Sequence, residues 1–307
     1  MEVLIQVLIL AASLAVLLKS SDFFIENAER IGLSLGISSF IIGVTIVALG
    51  TSLPELATSI ASVLLDTSDV VIGNVVGSNT TNILLVLGLT AFVGKKLYVR
   101  EGVIKAELPY LFLSAVVLYF FIYDKKVELY ESLLFLAMLV VYIVQTISND
   151  EEEKPDDRPK LQWWRFLIVA AAGVGIYLSA DYTIKSLVNL SEIFGVNTGV
   201  LATSLVALGT SLPEVVVSVN AMIKGKGDIA LGNVIGSNIF NTYAVMGIPS
   251  LIGPLVIPQE ILDFAMPFMM AVTLGLFLLG QARVIDRWGG LSLLLLYVFF
   301  MIQLFLA

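Results

Sequence analysis

Ala48-Leu-Gly-Thr-Ser-Leu-Pro-Glu55 recurs letter for letter as Ala207-Leu-Gly-Thr-Ser-Leu-Pro-Glu214, 159 residues later. A second stretch, Gly73-Asn-Val-Val-Gly-Ser-Asn-Thr-Thr-Asn82, returns at the same offset as Gly232-Asn-Val-Ile-Gly-Ser-Asn-Ile-Phe-Asn241. The offset also pairs Asp22 with Asp181, Gly36 with Gly195 and Gly88 with Gly247. An eight-residue identity in one shared register marks an internal repeat, which has to be read before any single element.

Outward from these stretches the chain is apolar. Hydrophobic residues fill 58% of 307 positions and charged residues 14%, with a mean hydropathy of +0.97. Soluble domains carry about 25% charged residues, so the composition implies an integral membrane protein. A spanning helix needs about 20 mostly apolar residues. Ten candidates meet this, near 3–29, 37–64, 71–93, 107–123, 128–147, 162–190, 197–223, 229–252, 260–279 and 289–306. The expected fold is therefore all-α, with a five-helix repeat over 1–147, an acidic linker over 148–161 and a second five-helix repeat over 162–307. Five is odd, so the second copy enters the membrane inverted. Inverted repeats of this kind place a transport site near the midplane, at the interface of the halves.

Charge sets the expected orientation. Arg30, Lys95, Lys96, Arg100, Lys105, Lys154, Arg158, Lys160, Arg165, Lys224, Lys226, Arg283 and Arg287 all belong to odd-numbered loops or their edges, whereas even loops hold little beyond Lys125 and Lys126. This predicts a multi-pass protein of the cell membrane with cytoplasmic odd loops and both termini extracellular. The first apolar run, 3–18, precedes its basic residues and reads as a retained helix rather than a cleaved leader. The net charge of −8 is concentrated in the 150–157 stretch and is no nucleic-acid footprint. Nothing implies a protein partner.

The chain has neither cysteine nor histidine. Disulfides, thiol nucleophiles, haem and the usual zinc sites are excluded. The missing histidine and cysteine argue against a membrane enzyme, and no cofactor is expected. Ion chemistry must rest on oxygen ligands, which suit hard cations such as calcium and sodium.

Pro54 and Pro213 interrupt the repeated helices, lacking the N–H that the carbonyl four residues earlier needs. Such a break survives in a membrane only where it is buried in protein or lines water. The carbonyls it frees, beside Glu55 and Glu214, make an oxygen cage. Ionised side chains inside a span are costly and functional by default. Asn74, Ser78 and Asn82, and likewise Asn233, Ser237 and Asn241, are spaced by four and share a helix face. Gly73/Gly77 and Gly232/Gly236 add the small-x-x-x-small spacing of packed membrane helices. Two carboxylates match the charge of one calcium ion. Sodium or protons could compete for the same groups, and the residues alone do not rank one over the other. A channel with a glutamate-lined pore is a further reading, which the inverted repeat disfavours.

These motifs resemble the two alpha-repeats of the cation/calcium antiporter superfamily, and within it the compact prokaryotic sodium/calcium exchangers. The resemblance covers nearly the whole chain. It implies a calcium site at Glu55, Glu214, Thr51 and Thr210. It implies sodium sites at Ala48, Thr51, Ser52, Glu55 and Ser78, and at Ala207, Thr210, Ser211, Glu214 and Ser237. Asn82 and Asn241 would support the centre. An amide at Asn241, where some prokaryotic exchangers and the potassium-dependent branch have aspartate, resembles the potassium-independent exchangers and argues against potassium co-transport. Proton-coupled relatives differ around the glutamate, so the resemblance favours calcium/sodium exchange, with calcium/proton exchange as the alternative. It also implies that the long first and sixth helices, which contain or border Gly32, Gly36, Gly173 and Gly175, slide across a fixed core. The linker 148–160, with six acidic and three basic residues, takes the place of the large cytoplasmic domain of animal exchangers and is expected to be a solvated connection.

Overall fold

The computed structural model describes residues 2–148, 160–193 and 210–306. Most of the expected linker, 149–159, and Ala207 lie outside the described residues.

The longest helices are α1 (Glu2–Leu35) and, after the linker, α7 (Trp164–Ile193), of 34 and 30 residues. At 1.5 Å per residue each exceeds the ~30 Å hydrocarbon layer. They pack along each other at one side of the molecule. A side chain on Gly175 would come within 2.5 Å of Ser20 Oγ, and Thr183 donates to Ser13 Oγ at 2.9 Å. Their other faces are apolar and open, as at Leu4, Leu8 and Leu167. In water such faces would aggregate, whereas in a bilayer they meet lipid. Gly36, with φ of 72°, ends α1, and Ser38 caps the next helix by accepting from Ile41 N.

The second span is broken. α2 (Ser39–Thr51) and α3 (Leu53–Leu64) meet at 41°. The break falls on Ser52, with Pro54 in the first turn of α3. Proline is tolerated there because first-turn N–H groups have no helical partner. The second copy has the same joint: Ser211 precedes α8 (Leu212–Ile223) with φ/ψ of −87°/2°, against −88°/5° at Ser52.

The remaining helices are α4 (Asp69–Gly94), α5 (Val103–Phe121), α6 (Leu129–Ser148), α9 (227–250), α10 (Ile261–Gly280) and α11 (Arg287–Leu306). α4 lies at the centre, with 72% of its most apolar window enclosed against 11% for α1. α4 and α9 each carry a π-helical turn at the repeat-related positions Asn82–Val86 and Asn241–Val245. Single π turns inside α-helices cluster at functional sites.

Among the described residues seven helices are long and apolar enough to span, and the bent pair α2/α3 makes an eighth. α9 is not among them, since Asn233, Asn238 and Asn241 dilute its apolar character. α8 is short, and the 197–209 part of the expected seventh span lies outside the described residues. The expected ten therefore rests on these two segments.

Two short strand pairs, absent from the sequence reading, report how the halves are related. β1 (Lys96–Tyr98), after α4, pairs antiparallel with β4 (Val284–Asp286), between α10 and α11. β2 (Lys126–Val127), between α5 and α6, pairs with β3 (Leu255–Val256), between α9 and α10. The loop after the third span of one half thus shares a face with the loop after the fourth span of the other. A second copy in parallel orientation would put those loops on opposite faces; an inverted copy brings them together.

Candidate cation site

α2 and α9 cross at glycines. A Cβ on Gly43 would lie 2.5 Å from the Ile229 carbonyl, and one on Gly232 would lie 2.5 Å from the Phe40 carbonyl. Gly236 faces the Val44 carbonyl and the Ala48 methyl just as closely. Only bare backbone allows this approach, which lays the joint at Ser52 against the polar face of α9. In the second half, then, the Gly-x-x-x-Gly spacing is a packing device that positions the site.

Glu55 and Glu214 are both buried, with relative exposures of 1% and 0%. The hydroxyls beside them come from both halves of the chain. Ser52 Oγ donates to Glu214 Oε1 at 3.2 Å, and Ser78 Oγ to Glu55 Oε1 at 3.5 Å. Thr210 lies against Glu55, and Thr51 against Glu214. Thr51 Oγ1 also donates to Asn233 Oδ1 at 3.1 Å and stands 3.4 Å from Ser237 Oγ. The structure therefore gathers Thr51, Ser52, Glu55, Ser78, Thr210, Glu214 and Ser237. The Ala48 carbonyl accepts from Ser52 N and Thr51 Oγ1, so it stands at the same joint.

The second oxygen of each glutamate, Glu55 Oε2 and Glu214 Oε2, is buried with no hydrogen-bond partner. Ser211 Oγ, Asn82 Oδ1 and both polar atoms of the Asn241 amide are in the same condition. Leaving a buried polar atom unmatched costs about 1–3 kcal/mol, and more if it is charged. Unmatched oxygens on two buried carboxylates fit a hard cation, which would satisfy them together. No group of three or more acidic, histidine or cysteine side chains placed to hold a metal ion occurs among the described residues. Fully ionised, the two carboxylates would bring a charge of −2.

Several contributors were not singled out in the sequence. Asn79 Nδ2 donates to the Asn238 carbonyl at 3.3 Å and to Thr242 Oγ1 at 3.1 Å, and Asn82 Nδ2 donates to Asn238 Oδ1 at 3.2 Å. These amides knit α4 to α9 where the halves meet. Ser59 and Ser218 are fully buried and accept from Asn74 and Asn233. The signal that could have found them is the 159-residue offset, which pairs Asn79 with Asn238 and Ser59 with Ser218.

The model of the sodium/calcium exchanger protein family matches residues 5–147 and again residues 164–306. The chain belongs to that family. The sodium/calcium exchanger MaX1 of Methanosarcina acetivorans is 33% identical to this family member over 97% of this chain and 98% of its own. The inner membrane protein YrbG of Escherichia coli is 35% identical over 80% of this chain and 79% of its own. A solved structure of the sodium-calcium exchanger NCX_Mj, soaked with sodium and strontium, superposes with a TM-score of 0.84 at 30% identity, covering 97% of this chain and 98% of that one. This family member is thus a multi-pass, all-α membrane transporter protein.

Proposed function

We propose that the protein exchanges calcium for sodium across the membrane, both ions using the cage between Glu55 and Glu214. The observation that carries this is the pair of unpartnered carboxylate oxygens, buried on repeat-related helices beside the hydroxyls of Ser52 and Ser78 from the first half and Thr210 from the second. Calcium matches the −2 charge. Sodium can use the same oxygens, and two cargoes that exclude each other from one site produce obligatory exchange. MaX1 and NCX_Mj are named for sodium and calcium, which supports sodium over protons as the counter-ion. In this reading Thr51 and Thr210 complete the calcium site with the glutamates. Ala48, Ser52, Ser78, Ala207, Ser211 and Ser237 serve sodium beside them, and Asn82 and Asn241 line the centre. Sodium should displace calcium competitively from the solubilised protein in equilibrium binding. Simultaneous, independent binding of both ions would contradict a shared cage.

The proposed architecture is ten spans in two inverted halves, 1–147 and 162–307, joined by the 148–161 linker on the cytoplasmic side, with both termini outside. Alternating access would come from movement of α1 and α7 over the core. A cavity of about 460 Å3 supports this reading, since its lining of Phe24, Gly50, Pro54, Gly173, Tyr177 and Pro213 leaves room between α7 and the broken helices. On the side of the 224–226 loop, α1 is tied down. Asp22 pairs with Lys224 at 2.6 Å and accepts from Asn220 at 2.9 Å, and Glu29 pairs with Lys226. The repeat-related positions in the first half hold Ala61, Leu65 and Thr67, which cannot form such pairs, and Asp181 instead pairs with Lys185 of its own helix. Half-exposed ion pairs contribute about 0.2–1 kcal/mol. Lys224→Ala should therefore raise the maximal exchange rate by up to about fivefold with little change in calcium KM, if leaving this closed arrangement limits turnover. An unchanged rate would show that the pairs do not hold α1.

Asn241→Asp adds a titratable carboxyl to the cage. Its negative charge is present at high pH and lost on acidification, so calcium uptake should become more strongly pH-dependent, falling as pH drops. Uptake measured across a pH series reads this directly, and a wild-type profile would place Asn241 off the ion path.

A further inference from the structure

Ser59 and Ser218 stand one helical turn beyond Glu55 and Glu214, on the same helix faces. Both are fully buried. Asn74 Nδ2 donates to Ser59 Oγ at 3.1 Å, and Asn233 Nδ2 to Ser218 Oγ at 2.9 Å. The bond therefore occurs twice, once in each half, at the same repeat offset.

An asparagine amide presents two donors on one side and an acceptor on the other, and its partners decide which way it faces. Asn74 Nδ2 also donates to the Glu55 carbonyl at 3.2 Å, an atom that can only accept, so this amide turns its oxygen toward Ser78; the repeat-related Asn233, whose nitrogen Ser218 holds, turns its oxygen toward Thr51 and Ser237. Asn74 Oδ1 accepts from Ser78 Oγ at 3.5 Å, and Asn233 Oδ1 accepts from Thr51 Oγ1 at 3.1 Å and Ser237 Oγ at 3.5 Å. Of these hydroxyls, Ser78 lies against Glu55 and Thr51 against Glu214, and Ser237 stands 3.4 Å from Thr51. A flipped amide would aim N–H donors at the hydroxyls and at any cation beyond them.

We propose that Ser59 and Ser218 are positioning residues, which fix the Asn74 and Asn233 amides with their oxygens toward the cation and so hold the Ser78, Thr51 and Ser237 hydroxyls in place. This rests on the two-glutamate reading of the site. Outer partners that orient metal ligands typically change affinity by about 10–100-fold when removed, and such residues act as a unit with what they orient.

The test is calcium uptake into sodium-loaded proteoliposomes as a function of calcium concentration, for Ser218→Ala, Ser218→Thr, Asn233→Ala, the Ser218→Ala/Asn233→Ala double variant and Glu214→Gln. Ser218→Ala is expected to raise calcium KM by about tenfold or more, well beyond any fall in maximal rate. Threonine, which keeps the hydroxyl, should return KM toward wild type. The double variant should match Asn233→Ala alone. A wild-type KM in Ser218→Ala, or losses that multiply in the double variant, would overturn the proposal. Should Ser218→Ala not fold, Ser218→Cys, which keeps the size but offers only a weak acceptor, reads the same quantity, and a wild-type KM there overturns it equally. Glu214→Gln separates the two readings. Transport retained in that variant sinks the shared cage, whereas transport lost there with Ser218→Ala unaffected sinks only the positioning role.

Discussion

Glu214→Gln is expected to abolish calcium transport while leaving a folded protein, and Glu55→Gln to do the same. Each substitution removes one of the two charges that balance a divalent ion, and puts an N–H2 donor where an unpartnered oxygen faced the cage. The loss should exceed about 100-fold, the upper end of what removing an outer partner costs a metal site. Folding should survive because the side chain keeps its shape, and a neutral amide costs less than a carboxylate inside a span. Ser52 can still donate to the remaining oxygen of residue 214. Calcium uptake, together with size-exclusion profiles, reads both halves of the expectation. Retained uptake in either variant would contradict a site shared by both glutamates.

Gly236→Leu is expected to cost the fold itself. A Cβ at this position already meets the Val44 carbonyl, and it would stand 2.7 Å from the Ala48 methyl. The obstacle is backbone and a short side chain, neither of which can rotate away. Overpacking costs about 1–3 kcal/mol where neighbours can adjust; here the expected loss is at or above the top of that range, with a lower melting temperature in detergent and poor yield. Gly275 is the control. Nothing lies within 4 Å of a Cβ built there, so Gly275→Ala should be neutral or stabilising by up to about 1 kcal/mol, as alanine is the better helix former. A Gly236→Leu variant as heat-stable as wild type would show that α2 and α9 do not depend on that crossing.

The 159-residue repeat made much of this legible in advance. It located both glutamates, the proline joints and the polar stripes, because a repeat exposes positions that local propensity would treat as noise. Ser52, rather than Pro54, turned out to carry the break: the proline opens a new helix instead of kinking an old one. The π turns at Asn82 and Asn241 have no marker in a periodicity of 3.6. Identical motifs also take different partners. Asn74 Nδ2 reaches the Glu55 carbonyl at 3.2 Å, whereas the repeat-related Asn233 reaches across the interface to Thr51. That difference arises from packing between the halves, which neither copy encodes alone. The β1–β4 and β2–β3 pairs escaped notice because strands of two or three residues leave no pattern.

The most direct test of the central claim is uptake of radioactive calcium into proteoliposomes loaded with sodium, beside liposomes loaded with potassium, with choline, or with an acidic interior. Uptake that requires internal sodium, and that neither potassium nor a proton gradient replaces, is the predicted result. Uptake driven by the acidic interior without sodium would contradict calcium/sodium exchange and make protons the counter-ion at the same pair of glutamates.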